Sequence, residues 1–192
     1  MKFMRQTHKT RLSLNYKEPF VYQKIGLFIF EWMPYQSEEI VIVCIGSDRA
    51  TGDALGPLTG SMLIKHKHSK YSVYGTLEEP IHALNLKQQI KQIKKQHPNA
   101  FIIAIDACLG RASSVGHITA SIGALKPGLA LKKDLPKVGD FHVTGIVNVN
   151  TPIDFLALQN TRLFLVMEQA ETIARAFNYA EYLHSNHKKA KQ

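Results

Sequence analysis

Two aspartates stand where strand-like runs give out. Asp53 lies in TGDALGP (51–57), shortly after the apolar run in EEIVIVCIG, and Asp106 directly follows five apolar residues in FIIAIDACLG (101–110). Two carboxyls in contrasting surroundings suit acid–base chemistry on water, one ionised to take a proton and one protonated to donate it. Pro57 suits a first helical turn, so the dipole and free amides of the coming helix favour the ionised form of Asp53. The apolar run ahead of Asp106 disfavours its charge. Each residue taken singly has an ordinary reading as well, a helix cap for Asp53 and a partner of a nearby amide or arginine for Asp106.

The same carboxyls allow a metal reading, with His142 in VGDFHVTG as an imidazole ligand at another loop-to-strand junction. Two oxygens and one nitrogen would suit zinc, nickel or another first-row divalent ion and leave positions open for water. Gly46, Gly52 and Gly56 fit neither a dinucleotide fingerprint nor a phosphate loop with its lysine, so no organic cofactor is expected. Cys108 lies two residues from Asp106, yet no histidine is placed by sequence to activate it, and it reads with Cys44 as a buried structural thiol. Ser113 and Ser114 lack the Gly-flanked elbow of a serine hydrolase. His66, His68, His184 and His187 read as solvated helix ends.

The elements that must position these residues alternate. IVIVCIG and FIIAIDACLG are β-branched, continuously apolar runs, as strands covered on both faces should be. Between them lie a helix begun near Pro57, a short strand in YSVYGT (71–76), and a helix in ALNLKQQIKQIKKQH (83–97) with Leu84, Leu86, Ile90 and Ile93 near helical spacing. HITASIGAL (117–125) and FHVTGIVNV (141–149) are further strand candidates, and RLFLVMEQAETIARAFNYAEYL forms a long amphipathic helix. The stretch VYQKIGLFIFEWM is compatible with a strand or an edge helix. Alternation with buried strands predicts a three-layer α/β/α fold with a mostly parallel central sheet, phosphorylase/hydrolase-like. In such sheets the crevice lies beyond the carboxyl ends of the strands, where Asp53 and Asp106 both fall.

Length and composition fit one domain over residues 36–184, with an N-terminal basic extension (1–35) and a basic C-terminal tail (185–192). The net charge of +9 is concentrated at the ends. Residues 1–24 carry six Lys/Arg against Glu18, and residues 186–192 carry Lys188, Lys189 and Lys191 against no acid, which leaves 15 basic and 14 acidic residues in the body. Nucleic acid is therefore not an expected partner except through the tails. No apolar stretch is long enough for a membrane span, and the N-terminus lacks a secretory h-region, so a cytoplasmic protein is expected. Two cysteines exclude a disulfide framework.

CIGSDRATGDALGP followed some fifty residues later by IIAIDACLGR resembles the germination protease family of spore-forming bacteria, which carries T-P-D-A-L-G-P and I-D-A-L-A-S-R segments. The core from Ile40 to Phe177 more closely resembles the YyaC-type sporulation proteins, short relatives of that protease. The resemblance implies an aspartic pair at Asp53 and Asp106, with Arg111 as the arginine closing the second segment and Ser47, Asp48 and His142 lining the site. It implies a protein or peptide substrate, with small acid-soluble spore proteins as the class, and a forespore or mother-cell setting. The fold is also similar to hydrogenase maturation endopeptidases, whose nickel ligands would correspond to Asp53, Asp106 and His142. The chain departs from the protease in length, in T-G-D for T-P-D, where Gly52 frees the backbone, and in residues 117–140.

Overall fold

The computed structural model describes residues 9–34, 39–65, 70–127 and 135–189. His66 and His68, the first eight residues and the last three lie outside them. Six strands form one sheet: β1 (Arg11–Asn15), β2 (Ile40–Cys44), β3 (Ser72–Tyr74), β4 (Phe101–Gly110), β5 (His117–Ile122) and β6 (Phe141–Val149), in the order β1-β5-β6-β4-β2-β3. The β3-β2-β4-β6 part is parallel, while β5 and β1 add antiparallel at the β6 edge. The expected mostly parallel, layered α/β architecture is present.

The two faces of the sheet differ. Helices α1 (Val21–Trp32), α2 (Leu55–Ile64) and α5 (Leu163–Lys189) cover one face, burying Ile42, Ile103, Ile105, Phe141 and Val143 against Ile25, Leu63, Ile173 and Phe177. Helix α3 (Leu86–Gln96) sets Leu86, Ile90 and Ile93 against Val41, Val43, Ile102 and Ala104 on the other. Leu86, Ile90 and Ile93 of the stripe read from the sequence thus face the sheet, whereas Leu84 lies ahead of α3 and is exposed, a correction to that reading. Beyond β4 that second face turns polar, with Thr144 and His142 on β6 and Thr119 and Ser121 on β5.

The N-terminal segment corrects the expected boundary. Residues 11–15 are the edge strand β1, paired along its whole length with β5. Residues 21–32 are helical and not a strand, and they lie on α5 so closely that a Cβ on Gly26 would meet the Ala176 carbonyl at 2.6 Å. Phe28 sits 6.0 Å from Phe141, ring to ring. The basic charges around this segment concealed a helix with a buried face. The C-terminal boundary shifts too, since α5 continues through Lys189. His187 is no solvated end, because its ring meets Phe30 edge-on at 6.2 Å.

A chain begun at residue 35 should therefore lose its fixed tertiary structure, because Ile25, Phe28 and Ile29 would leave Phe177 and Phe141 in water. Near-UV circular dichroism and thermal melting check this, with loss of the cooperative transition as the expected outcome.

Candidate functional site

The site begins where β2 ends. Cys44 and Ile105 are the last ladder pair between β2 and β4, and Ile45 N–H still reaches the Ile105 carbonyl at 2.7 Å. Strand β4 then runs on for five residues with β6 alone, so Asp106 stands at the first position where β2 has left the sheet. On the opposite flank, Ile45 bridges Ile81 and Gly46 N–H donates to the Ile81 carbonyl at 2.8 Å. The departing chain folds back over this exit as a 3-10 turn (Gly52–Ala54) that leads into α2.

Two glycines make that fold-back possible. A Cβ on Gly46, whose φ is +141°, would lie 2.0 Å from the Asp53 carbonyl. One on Gly56 would lie 2.1 Å from the Ile45 carbonyl. Gly52 serves close packing as well: its Cβ would meet the Thr161 hydroxyl at 2.8 Å and Leu158 at 3.0 Å. The need at Gly52 is thus for space against α4 (Asp154–Gln159), a short helix absent from the sequence reading. Six residues give too little periodicity to announce a helix.

Asp53 does not cap a helix. Neither the 3-10 turn nor α2 has a side-chain cap, and Asp53 lies inside the turn, half-buried. Burial pushes its carboxyl up to about 6, against the pull of the Ser47 N–H and of His82. The helix-dipole expectation is corrected, since desolvation outweighs the favourable amide. Near neutral pH both protonation states are populated, as a general acid–base group requires.

Asp106 is buried, with 7% of its surface exposed. In the strand register it lies beside Thr144 of β6, which lies beside Thr119 of β5, which lies beside Ser13 of β1. This row of hydroxyls crosses the polar face at right angles to the strands, with Ser13 and Thr119 hydrogen-bonded at 3.0 Å. Only the strand order reveals it, because 130 residues of chain lie between Ser13 and Thr144.

The remaining candidates fall at varying distances from this centre. Ser47 lies in the site through its N–H, while its hydroxyl accepts the Arg49 N–H at 3.2 Å. Asp48 is exposed on the same loop. His142 shares the face of Asp106 but pairs with Ala104, one row back, and its Nδ1–H donates to the Gly123 carbonyl at 2.7 Å. Arg111 is exposed, five residues past Asp106 and roughly 15 Å further along the strand direction. Burial raises the Cys108 thiol to about 11, which removes it as a nucleophile at neutral pH. Cys44 is likewise raised by full burial.

The metal arrangement is also corrected. Among the described residues no three His, Cys, Asp or Glu side chains come together as a metal site, so Asp53, Asp106 and His142 do not form the expected ligand set.

One residue was missed in the sequence. His82 follows Ile81 on the flank of β2 opposite Asp106, and its charge favours the ionised form of Asp53. Its backbone N–H donates to Asn85 Oδ1 at 2.8 Å, and its Nδ1 accepts the Leu84 N–H at 3.3 Å. The only signal in the chain was the turn-forming EEPIHALN, in which one histidine is unremarkable.

Two outcomes follow from this geometry. Gly56→Ala should destabilise the fold by at least about 2 kcal/mol, although alanine is the better helix former by about 1 kcal/mol. Chemical denaturation checks the sign. For Asp53, the folded value of about 6 lies above the ordinary 3.8. The folded protein therefore holds this proton more tightly than the unfolded chain, and that contribution is complete below about 3.8 and lost as pH rises through about 6. Full desolvation would make the ionised form cost about 3 kcal/mol, which partial exposure screens to roughly 1–2 kcal/mol. Asp53→Asn should accordingly be more stable than the parent by that amount at pH 7, with the difference shrinking toward pH 4 in denaturant titrations.

Comparison with known proteins places the chain. Residues 13–176 match the family model described as "Protein of unknown function (DUF1256)". The chain is 51% identical over 142 residues to "Uncharacterized protein YyaC" of Bacillus subtilis (strain 168), covering 74% of this chain and 69% of that one. Among solved structures, a [NiFe] hydrogenase maturation protease, HycI from Thermococcus kodakarensis KOD1, aligns with a TM-score of 0.44 at 17% identity, over 78% of this chain and 92% of its own. The match across 13–176 includes all but the first two residues of β1, both aspartates and the first half of α5, and the chain belongs to the DUF1256 family.

Proposed function

We propose that the crevice at the exit of β2 is the active site of a peptidase-like hydrolase, with Asp53 and Asp106 as its acid–base pair. The observation that carries this reading is the state of Asp53. Its carboxyl caps no helix, is desolvated enough to titrate near pH 6, and stands on a turn packed against β4, the strand that carries a second, buried aspartate. A purely structural aspartate would be expected to keep its charge satisfied at a cap or in an ion pair.

In this mechanism the ionised Asp53 takes a proton from water as the water oxygen attacks the peptide carbonyl carbon. Asp106 supplies a proton to the carbonyl oxygen, giving a neutral tetrahedral intermediate. Collapse breaks the C–N bond; the nitrogen leaves with the proton that Asp53 had taken, and the proton of a hydroxyl returns to Asp106. The net change is one water consumed, one carboxylic acid and one amine formed. The hydroxyl row of Thr144, Thr119 and Ser13 gives an extended chain a polar floor leading away from Asp106. On the other side, exposed Phe155, Leu156 and Phe164 on α4 and α5 offer apolar surface beside the turn that carries Asp53. A polypeptide is the substrate that suits both surfaces.

The finer parts of the proposal extend the resemblance to the germination protease. They are a cytoplasmic role in sporulation and spore proteins of the small, acid-soluble class as substrate.

The test is to incubate the purified protein with a proteome-derived peptide library and with spore extract, and to identify new termini by mass spectrometry. Cleavage by the parent is expected, with Asp53→Asn and Asp106→Asn each reduced by at least about a hundredfold while remaining folded. Cleavage retained in either variant would overturn the assignment.

A further inference from the structure

The ladder between β4 and β6 slips two residues beyond Asp106. Cys108 pairs with Ile146 but Leu109 pairs with Asn148, so β6 carries one extra residue there. In a regular strand Asn148 would share the face of His142 and Thr144, because side chains two apart point the same way. The bulge sets it in register with Leu109 instead, and an extra residue re-aims a side chain in this manner. The re-aimed amide reaches α4.

Both ends of that amide are engaged. Asn148 Nδ2 donates to the Ala157 carbonyl at 2.9 Å and to Thr161 Oγ1 at 3.3 Å, while Oδ1 accepts the Val149 N–H at 2.8 Å. These partners fix which end is nitrogen, since a carbonyl takes only a donor and an N–H only an acceptor. Thr161, itself buried, closes the triangle by donating its hydroxyl to the same Ala157 carbonyl at 2.8 Å. A helix of six residues has too few internal hydrogen bonds to hold its place alone. The triangle ties it to β6.

The same corner bears on the turn that carries Asp53. A Cβ on Gly52, the residue before Asp53, would meet the Thr161 hydroxyl at 2.8 Å and the Leu158 carbonyl at 3.1 Å. From the other side, Ser47 N–H holds the Asp53 carbonyl at 3.2 Å. The 3-10 turn is thus set between the loop after β2 and the corner where α4 meets α5, and Asn148 fixes the corner.

We propose that Asn148 is a positioning residue for Asp53, holding its turn in place through Thr161 and α4. The role deepens the reading of Asp53 as a general base and rests on it for its catalytic meaning, while the mechanical link is independent of it. A base displaced by about an ångström loses its alignment with a bound carbonyl. Withdrawal of the corner also admits water beside the turn, and desolvation is what raises the Asp53 carboxyl. The ionisable groups carried by the elements around the turn are Asp106 on β4, Asp48 and Arg49 on the loop after β2, His82 beyond Ile81, Asp154 on α4, and Arg162 and Glu168 at the start of α5. All of them are retained in the variants that test the proposal.

The experiment is a carbon-13 NMR titration of the Asp53 carboxyl in the full chain, for the parent, Asn148→Ala, Thr161→Val, Thr161→Ser and the double variant of Asn148→Ala with Thr161→Val. Asn148→Ala should lower the midpoint by about one pH unit, from about 6 toward 3.8. Thr161→Val, which keeps the shape and removes the hydroxyl, should lower it in the same direction, and Thr161→Ser should keep the parent value. The double variant should shift by less than the sum of the two, because the groups act through one triangle. Ile90→Val loosens the core between α3 and the sheet, away from the turn, and should leave the midpoint where it is. That control separates positioning from general loss of stability. Where Asn148→Ala does not fold, the two Thr161 variants decide. A midpoint unchanged in folded Asn148→Ala or Thr161→Val, or moved as far by Ile90→Val, would overturn the proposal. If peptides are cleaved, kcat should fall at least about tenfold in Asn148→Ala, and the acidic limb of its pH profile should follow the lowered midpoint. If none are cleaved, the titrations still decide the link, so failure of the hydrolase reading and failure of the positioning role are distinguishable.

Discussion

The mutual fit of two backbones at the end of β2 is the constraint on which the site depends. Gly46 makes room for the Asp53 carbonyl and Gly56 for the Ile45 carbonyl, each at a separation that no side chain would permit. With the turn drawn down this far, Ala54 and Leu55 reach the core, and α2 starts directly over the sheet. Asp53 is carried into a half-buried position as a consequence. Its raised proton affinity is thus a result of backbone packing, and the fold bears the cost of a desolvated carboxylate in order to keep it there.

The same geometry explains why the crevice opens at this point. Strand β2 has five residues and β4 has ten, so the parallel ladder between them ends at Ile105 while β4 continues. The space on the β2 side of Asp106 is filled by a loop whose N–H groups are engaged locally, Gly46 with the Ile81 carbonyl, Ser47 with the Asp53 carbonyl and Arg49 with the Ser47 hydroxyl. His82 enters from the other flank because Ile81 replaces the missing ladder partner of Ile45. Three chain segments far apart in sequence, around residues 53, 82 and 106, are in this way gathered by the premature end of one strand.

Much of the architecture was legible because the periodicities are strong. Five consecutive apolar residues ahead of Asp106 can be satisfied only by burial on both faces, and the stripe of Leu86, Ile90 and Ile93 admits only a helix with one wet side. Asp53 falls beyond the end of β2 as that pattern required, whereas Asp106 lies within β4, which runs on to Gly110, and it is β2 that ends beside it. The N-terminal segment was less legible: its six basic residues dominated a reading in which Ile25, Phe28 and Ile29 turned out to face the core. A segment of twelve residues with apolar side chains on most positions does not disclose its periodicity until a partner surface selects the face.

The sequence by itself determined the two carboxyls, the glycine spacing around the first, and the buried strand that leads to the second, because these are local patterns with local physical causes. Tertiary structure alone decided which distant residues join them. Strand order placed Thr144, Thr119 and Ser13 in one row with Asp106 and moved His142 one row away; the fold-back of the 46–56 loop fixed the burial of Asp53; and the bridge at Ile45 set Ile81, and with it His82, on the far flank of β2. Register and burial are properties of pairs of segments, and a single segment carries no record of its partner.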